Sequence, residues 1–393
     1  QFVVVGDPKQ LPPTSFFDKT SSPDESTPEE ELVASTDTNS VLEALARTMP
    51  SQRYRRLKWH YRSEHESLIA FSNRKFYEGD LIVFPAASDQ RGELGVTHTF
   101  VEEGCFESGR NLVEATAVAR AVIEHARRVQ GMDHPPSLGV AAMNLSQAEL
   151  IAELIDKEAE GDREAVEALR HLESLDEPLF IKNLENVQGD ERDVIFISFT
   201  YGPDPASGRV MQRFGPINQA GGWKRLNVLV TRARRQVRAF TSMQARDIVA
   251  GPNSSPGVAA MRDYIAYASS GGLVERGVDS GKDFDSPFEA SVARVLQRLG
   301  MEVVPQVGVA GFFIDLGVRL PGNPDFILGI ECDGEMYHSA RSSRDRDAIR
   351  QAVIESKGWT VYRIWSTDWF TNRQQTIARL ERAVREAAEK AAR

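Results

Sequence analysis

The chain has 393 residues, of which 41% are apolar and 26% charged, so we expect two or three globular domains and exclude fibrous and wholly disordered proteins. Its 47 basic and 57 acidic residues give a net charge of −10, which argues against indiscriminate binding to nucleic acid or anionic membranes but allows a locally basic groove. No apolar run is long enough to span a bilayer, and the two distant cysteines exclude a disulfide scaffold and a cysteine zinc site and favour a reducing, cytoplasmic location.

The first residues of the chain predict a strand that needs neighbours on both sides. The apolar run Phe2-Val3-Val4-Val5 follows no initiator Met and no signal-peptide pattern, so we interpret the chain as a piece of a longer protein. Residues 18–40 are rich in Asp, Glu, Ser, Thr and Pro. They predict a mobile acidic loop, because such a segment cannot bury enough apolar surface to offset the entropy of ordering.

From residue 41 to 250, helical patterns alternate with short apolar strands, which predicts a parallel α/β sheet. A helix is expected over 112–128, opened by Asn111 and Glu114 at the spacing of a capping box. Residues 251–283 are rich in Gly, Ser and Pro around one apolar pattern at 258–268, and we expect a linker there. The predicted strands cover residues 138–143, 179–181, 194–199 and 237–241.

Residues 284–393 predict a smaller α/β domain. Its expected elements, in chain order, are a helix over 287–299, strands over 302–307, 312–318 and 326–332, a helix over 343–357, a strand over 360–365 and a helix over 373–390.

A polar turn, Gly6-Asp7-Pro8-Lys9-Gln10, follows the first predicted strand. Ligands of α/β sheets gather at the carboxyl ends of strands, although a turn of this composition is also common without function. Three further motifs follow in order: Trp59-His60-Tyr61-Arg62-Ser63, Val187-Gln188-Gly189-Asp190-Glu191-Arg192-Asp193 and, after Gly215-Pro216-Ile217-Asn218, the run Arg225-Leu226-Asn227-Val228-Leu229-Val230-Thr231-Arg232-Ala233-Arg234. The whole set, over residues 1–245, resembles superfamily-1 helicases of the Upf-like group, which are built from RecA-like domains.

That resemblance implies that Gln10 senses the γ-phosphate of ATP and that Arg62 and Arg232 reach it from the second RecA-like domain. A rigid, always-charged guanidinium suits this role because charge develops on the phosphoryl group that is transferred. A surface salt bridge is the alternative for either arginine. The resemblance also implies nucleotide contacts for Gly6, Asp7, Gly189 and Glu191, and contacts to nucleotide or strand backbone for Asn144, Ser146 and Gln147, for which a helix cap is the alternative.

The chain contains no G-x-x-x-x-G-K-[ST] phosphate loop, so ATP binding requires an upstream helicase domain of the same protein. Residues 1–40 would end that first RecA-like domain and residues 41–250 would form the second. We therefore expect no ATP hydrolysis by this chain alone. Two basic stretches, 53–62 and 223–238, contain no acidic residue and can line a nucleic-acid cleft.

Three carboxylates mark the smaller domain. Asp315 lies inside an apolar strand, and Glu331 and Asp333 end another. Antiparallel neighbours would bring Asp315 and Glu331 together, and like charges gathered there are costly unless a hard cation, Mg²⁺ or Mn²⁺, neutralises them.

The order of elements, with Ser286-Pro287-Phe288-Glu289, Glu331-Cys332-Asp333-Gly334, His338 and Gly358-Trp359-x-Val361-x-Arg363, resembles the PD-(D/E)xK nucleases, in the branch of very-short-patch repair endonucleases. The resemblance implies an α/β restriction-endonuclease-like fold, with Asp315 and Glu331 as metal ligands beside the Cys332 carbonyl, and Glu289 as a ligand or a support for the ligands. Asp333 stands where the superfamily carries its Lys, so the general base is open between Asp333 and His338.

We interpret the chain as the C-terminal part of an ATP-dependent DNA helicase joined to a metal-dependent endonuclease, acting in DNA repair or defence. One alternative is a non-catalytic module that only binds DNA. Another is an RNA helicase with an inactive nuclease-like domain.

Overall fold

The structure is a computed structural model that describes residues 3–11, 40–50, 53–88, 93–272, 283–309, 311–333 and 341–391. The predicted acidic loop, except for Ser40, lies outside these ranges, and so do Gly334 and His338. Among the described residues, no helix is both long and apolar enough to cross a bilayer.

The first domain is built on five parallel strands. They run in the order Gly95–Phe100, Ala233–Thr241, Arg192–Ser198, Leu138–Ala142 and Phe180–Asn183. The inner strands are rich in Val, Ile and Phe because both of their faces are covered. The predicted parallel α/β sheet, of the RecA-like class, is confirmed.

Helices cover both faces of this sheet. Leu112–Val129 and Leu145–Ala159 pack on one face, and Ser67–Phe76, Gly222–Val230 and Pro256–Ser269 pack on the other. The other α-helices described in this domain are Val41–Thr48 and Arg163–Glu173, and a short parallel pair joins Trp59–His60 to Ile82–Val83.

Two segments differ from what the sequence predicts. Val3 and Val5 are exposed and form no strand, because no described strand lies beside them to accept their backbone hydrogen bonds. Residues 256–269, predicted as part of a linker, form a helix whose Val258, Met261 and Ile265 are buried in the first domain's core. The apolar pattern noted at 258–268 was the signal for that helix.

The second domain has a four-stranded sheet in the order Val361–Trp365, Phe326–Asp333, Phe312–Arg319 and Glu302–Val309. The first pair is parallel and the other two pairs are antiparallel. Its helices are Pro287–Arg298, Arg341–Ser356, Ser366–Thr371 and Arg373–Ala391. All the elements predicted for this domain are present, and within the described residues the short helix Ser366–Thr371 is the one element that was not predicted.

Candidate functional site

Two guanidinium groups from distant parts of the chain meet at Thr231. Arg62 donates from Nη2 to the Thr231 carbonyl at 2.5 Å, and Arg232 donates from Nη2 to the Thr231 hydroxyl at 3.1 Å. Arg232 is 5% exposed and is held by a second hydrogen bond, from Nε to the Val228 carbonyl at 2.8 Å. The fold therefore brings together the two arginines that the sequence predicts to act on one phosphate.

Positive charge at this point is incompletely balanced. Burial, followed by the nearby charge of Arg62, lowers the pKa of Arg232 to about 10. Glu191 is 3.3 Å from Arg62, but among the described residues no carboxylate lies within ion-pair distance of Arg232. The Nε of Arg62 is buried and has no hydrogen-bond partner among the residues that the structure describes. An anion that approached both groups would neutralise the excess charge.

The polar turn lies against the same site. Gln10 donates from Nε2 to Asp7 at 3.1 Å, and the Tyr77 hydroxyl donates to the same carboxylate oxygen at 2.6 Å. Asn227 donates to the Lys9 carbonyl at 2.9 Å and to the Tyr77 hydroxyl at 3.1 Å. Burial, followed by the hydrogen bond to Asp7, raises the pKa of Tyr77.

Tyr77 and Asn227 were not among the predicted site residues. Asn227 lies inside the quoted motif that ends at Arg234, which was a usable signal. Tyr77 ends a helix with no motif around it, so its role follows only from the fold.

The loop at Gly189 faces the turn. Gly189 has a φ of +91°, a left-handed conformation that other residues adopt only with strain. Its neighbour Gln188 donates from Nε2 to the Leu11 carbonyl at 3.3 Å. A cavity of about 430 Å³ opens here, and its lining includes Gly6, Asp7, Gln10, Gln188 and Lys224.

For Asn144 and Gln147 the structure favours a helix cap. Asn144 accepts a hydrogen bond from the Gln147 backbone at 2.8 Å and so caps the helix Leu145–Ala159. The Gln147 side chain is fully buried and forms hydrogen bonds with the backbone of Asn111 and with the Ser198 hydroxyl. It could contact a ligand only if these hydrogen bonds were broken.

Both basic stretches are partly neutralised: in the first, Arg56 and Lys58 pair with Asp80 at 2.6 and 3.5 Å. In the second, Arg225 pairs with Glu185 at 2.7 Å and Arg234 pairs with Asp193 at 2.9 Å and with Glu177. The first stretch is exposed over residues 53–58, together with the apolar side chains of Tyr54 and Leu57. Cationic and aromatic groups that alternate on a surface suit a single nucleic-acid strand, and the first stretch presents more such groups to solvent than the second.

In the second domain, Asp315 and Glu331 lie side by side on antiparallel strands, since Leu316 pairs with Ile330. Burial is the largest cause that raises the pKa of Asp315 to about 6 and that of Glu331 to about 7, and nearby carboxylates act in the same direction. Asp315 accepts a hydrogen bond from the Cys332 backbone at 2.7 Å. Arg350, which the sequence did not single out, lies 3.3 Å from Glu331 and supplies positive charge.

Two other predicted residues of this site, Asp333 and Glu289, already have polar partners. Asp333 is 2.9 Å from the Arg363 Nε. Glu289 is 5% exposed and accepts hydrogen bonds from the Asp285 backbone, the Ser286 hydroxyl and the Gln306 amide at 2.9–3.1 Å. Both carboxylate oxygens of Glu289 therefore already accept hydrogen bonds. His338 lies outside the described residues.

Asp315 and Glu331 fit a hard divalent cation in their chemistry, because two buried oxygen ligands repel each other until a cation is present. Within the described ranges, however, no group of three or more His, Cys, Asp or Glu side chains is arranged to hold a metal ion.

Two family models match the chain. The AAA_12 model, described as an AAA domain, matches residues 38–244, which is more than half of the chain. A second model, REase_MTES_1575, matches residues 288–384. The predicted resemblance to a superfamily-1 helicase domain followed by a restriction-endonuclease-like domain is confirmed by these matches.

Two curated relatives are similar along nearly the whole chain. They are named "Uncharacterized ATP-dependent helicase MG140", from Mycoplasma genitalium, and its homolog from Mycoplasma pneumoniae, and they are 28% and 27% identical over 97% and 95% of this chain. The chain spans about a third of their length, 34% and 33%.

Solved structures resemble the chain only weakly. The C-terminal domain of a possible DNA helicase from Lactobacillus plantarum has 13% identity and a TM-score of 0.25, over 51% of this chain and 92% of that chain. The Escherichia coli helicase HrpB has 12% identity and a TM-score of 0.23, over 48% of this chain and 24% of that chain. Scores of this size carry no argument about this chain.

Proposed function

We propose, because this chain belongs to the AAA_12 family of AAA domains, that it forms the second motor domain of an ATP-dependent DNA helicase and an attached metal-dependent endonuclease domain. The motor domain includes residues 41–250 and the helix Pro256–Ser269, and the nuclease domain includes residues 284–393. Residues 1–40 belong to the end of a first motor domain.

One observation carries the motor proposal. Arg62 and Arg232 converge on Thr231 with more positive than negative charge around them, beside a turn that holds Gln10. The γ-phosphate of ATP is an anion with oxygens for both guanidinium groups, and its charge is spread further in the transition state. Arg62 and Arg232 would neutralise that charge when the domain closes on ATP held by an upstream phosphate loop.

ATP hydrolysis in two forms of the protein tests this proposal. The chain alone should bind ATP weakly and hydrolyse it at the background rate, since it lacks a phosphate loop. A longer protein in which a phosphate-loop domain precedes the chain should hydrolyse ATP, and single-stranded DNA should stimulate it. Hydrolysis by the isolated chain that Arg62→Ala leaves unchanged would place the nucleotide site elsewhere.

The nuclease proposal rests on Asp315 and Glu331. These carboxylates, with the Cys332 carbonyl, would hold Mg²⁺ or Mn²⁺, and Glu289 would support them through its contact with Gln306. The cation activates water and stabilises charge on the scissile phosphate. The Cys332 N–H fixes one oxygen of Asp315 and so orients the other. Either Asp333 or His338 would accept a proton.

Nicking of supercoiled plasmid by the chain tests this half. We expect nicking with Mg²⁺ or Mn²⁺, none with chelator and none in Asp315→Ala or Glu331→Ala. The matched control is Glu302→Ala, which removes a carboxylate that pairs with Arg319 in the same sheet at 2.8 Å. Nicking without metal, or full nicking by Asp315→Ala, would remove the proposed site.

A non-catalytic DNA-binding module is the second candidate function. It is favoured by the pairing of Asp333 with Arg363 and of Glu331 with Arg350, since an arginine partner already neutralises each carboxylate. Binding of DNA without nicking at any metal concentration would support it. A motor stimulated by RNA in preference to DNA would instead favour an RNA helicase with an inactive nuclease-like domain.

A further inference from the structure

A lysine of the second domain holds the segment that carries Arg62. Lys357 is 6% exposed, and its Nζ donates to the carbonyls of Tyr61 and Ser63 at 2.5 Å each. These are the carbonyls on either side of Arg62. Burial lowers the pKa of Lys357 to about 8, while Glu64 raises it, so the ammonium is mostly protonated near neutral pH.

The pKa of His60 also reflects the nearby charges of Arg62 and Lys357. Burial, followed by the charges of Arg62 and Lys357, lowers the pKa of His60 to about 3. The neutral imidazole lies 2.7 Å from the Ser63 hydroxyl. The turn over residues 60–63 is therefore held by a hydrogen bond between its own ends and by the hydrogen bonds from Lys357.

Around Lys357 the two domains share an apolar core. Phe84 packs against Phe312 with ring centroids 4.5 Å apart, and Trp359 donates from Nε1 to the Pro85 carbonyl at 2.9 Å. Backbone hydrogen bonds join Ala87 to Lys357 at 3.1 Å and to Phe326 at 2.9 Å. An interface with a buried apolar centre and several hydrogen bonds resembles the interior of a domain more than a transient interface.

The helix that precedes Lys357 also contacts the carboxylate pair Asp315 and Glu331 through Arg350. Lys357 directly follows the helix Arg341–Ser356, and Arg350 on that helix pairs with Glu331 and stacks 4.6 Å from the centre of the Phe312 ring. One helix therefore connects the Arg62 segment to the proposed nuclease site.

We propose that Lys357 is a positioning residue for Arg62: the second domain holds the Arg62 backbone in the place from which its guanidinium reaches the γ-phosphate. This inference rests on the proposed motor function. Without the Nζ of Lys357 the two carbonyls lose their partner, and Arg62 loses its fixed starting position. Displacement of a charged group by about 1 Å can slow a reaction about 100-fold, since alignment is lost.

The test measures ATP hydrolysis by the longer protein that includes the phosphate-loop domain. Lys357→Met keeps the length of the side chain and removes its donors, and should lower kcat about 10- to 100-fold with little change in KM for ATP. Lys357→Arg keeps the donors and should restore part of that loss. Lys390→Met, at an exposed lysine of the last helix, is the matched control.

A double-mutant cycle separates positioning from a merely structural role. In an Arg62→Ala background, Lys357→Met should cause no further loss of kcat, because the residue it positions is gone. An equal loss in both backgrounds, or an unchanged kcat in Lys357→Met, would overturn the inference. If Lys357→Met unfolds, Lys357→Gln, whose shorter neutral side chain cannot bond both carbonyls, tests the same contact, and an unchanged kcat in that variant would equally overturn the inference. If Arg62→Ala itself leaves kcat unchanged, the proposed motor site fails, which is a distinguishable result.

Discussion

The hydroxyl of Tyr77 donates a hydrogen bond to the carboxylate of Asp7 at 2.6 Å, across 70 positions of the chain. Asp7 also accepts from the Gln10 amide at 3.1 Å and from the Lys9 backbone at 2.9 Å. The turn that presents Gln10 is thereby joined to the helix that ends at Phe76. The proposed contact of Gln10 with the γ-phosphate requires that this turn keep its position.

Replacement of Tyr77 by Phe should loosen the turn. The variant loses a hydrogen bond to a charged group, and we expect the free energy of unfolding to fall by about 2 kcal/mol. Urea denaturation measures this, and ATP hydrolysis by the longer protein should also fall. Tyr54→Phe, at an exposed tyrosine, is the control for denaturation and should leave the free energy of unfolding unchanged.

Single-stranded DNA should bind through the exposed stretch at residues 53–58. Arg53→Ala should reduce the steepness with which affinity falls with salt, by about one unit of slope, because one phosphate contact is lost. Arg225→Ala should change the slope little, since that guanidinium already pairs with Glu185 at 2.7 Å. Fluorescence anisotropy at several salt concentrations measures both. Equal effects of the two substitutions would contradict the assignment.

Glu114 should make the stability of the first domain depend on pH. Its fully buried carboxylate accepts hydrogen bonds from Ser198, Thr200 and Ser242, and burial raises its pKa from 4.5 to about 7. Because the folded pKa lies above the unfolded one, the stabilisation is complete below about pH 4.5 and is lost as the pH rises through about 7.

Substitution of Glu114 by Gln removes this titration. Relative to the native chain, the variant should gain about 3 kcal/mol of unfolding free energy as the pH rises from acid to above neutral. Urea denaturation at a series of pH values measures the difference, and Glu124→Gln, on the exposed face of the same helix, is the control. Parallel pH profiles for the native chain and Glu114→Gln would show that this carboxylate does not titrate as described.

Local patterns were sufficient to predict most of the second domain. Each of its strands is a short apolar run bounded by polar turns, and Asp315 and Glu331 were expected to meet because their strands were expected to be antiparallel. The helix at 256–269 was missed because Gly and Pro around it are typical of a linker, and only its contact with the first domain's core shows its role.

Long-range partners could not be predicted from the sequence. Nothing near Lys357 indicates that its ammonium binds carbonyls almost 300 positions earlier in the chain, and Arg350 reaches Glu331 only because a helix crosses the sheet. Asp333 pairs with Arg363 because their strands are parallel neighbours. Arg363 lies opposite Glu331, two positions before Asp333, and its side chain reaches Asp333 diagonally.

Asp333 should matter less to cleavage than Asp315. Since Arg363 lies 2.9 Å from Asp333, its charge is already balanced, and we expect Asp333→Ala to retain nicking at a reduced rate. Asp315→Ala should abolish nicking. Complete loss in Asp333→Ala would instead identify Asp333 as a metal ligand or the general base, whereas partial loss leaves His338 as the better proton acceptor.

The most direct test of the account is the kcat for ATP of the longer protein with Arg232→Ala, compared with Arg163→Ala. Arg163 is an exposed arginine paired with Glu167 at 2.8 Å on a helix of the same domain, so it controls for the loss of a guanidinium. We predict a loss of about 1,000-fold or more for Arg232→Ala and none for Arg163→Ala, because Arg232, unlike Arg163, would contact the transferring phosphoryl group. An unchanged kcat in Arg232→Ala would contradict the assignment of this site.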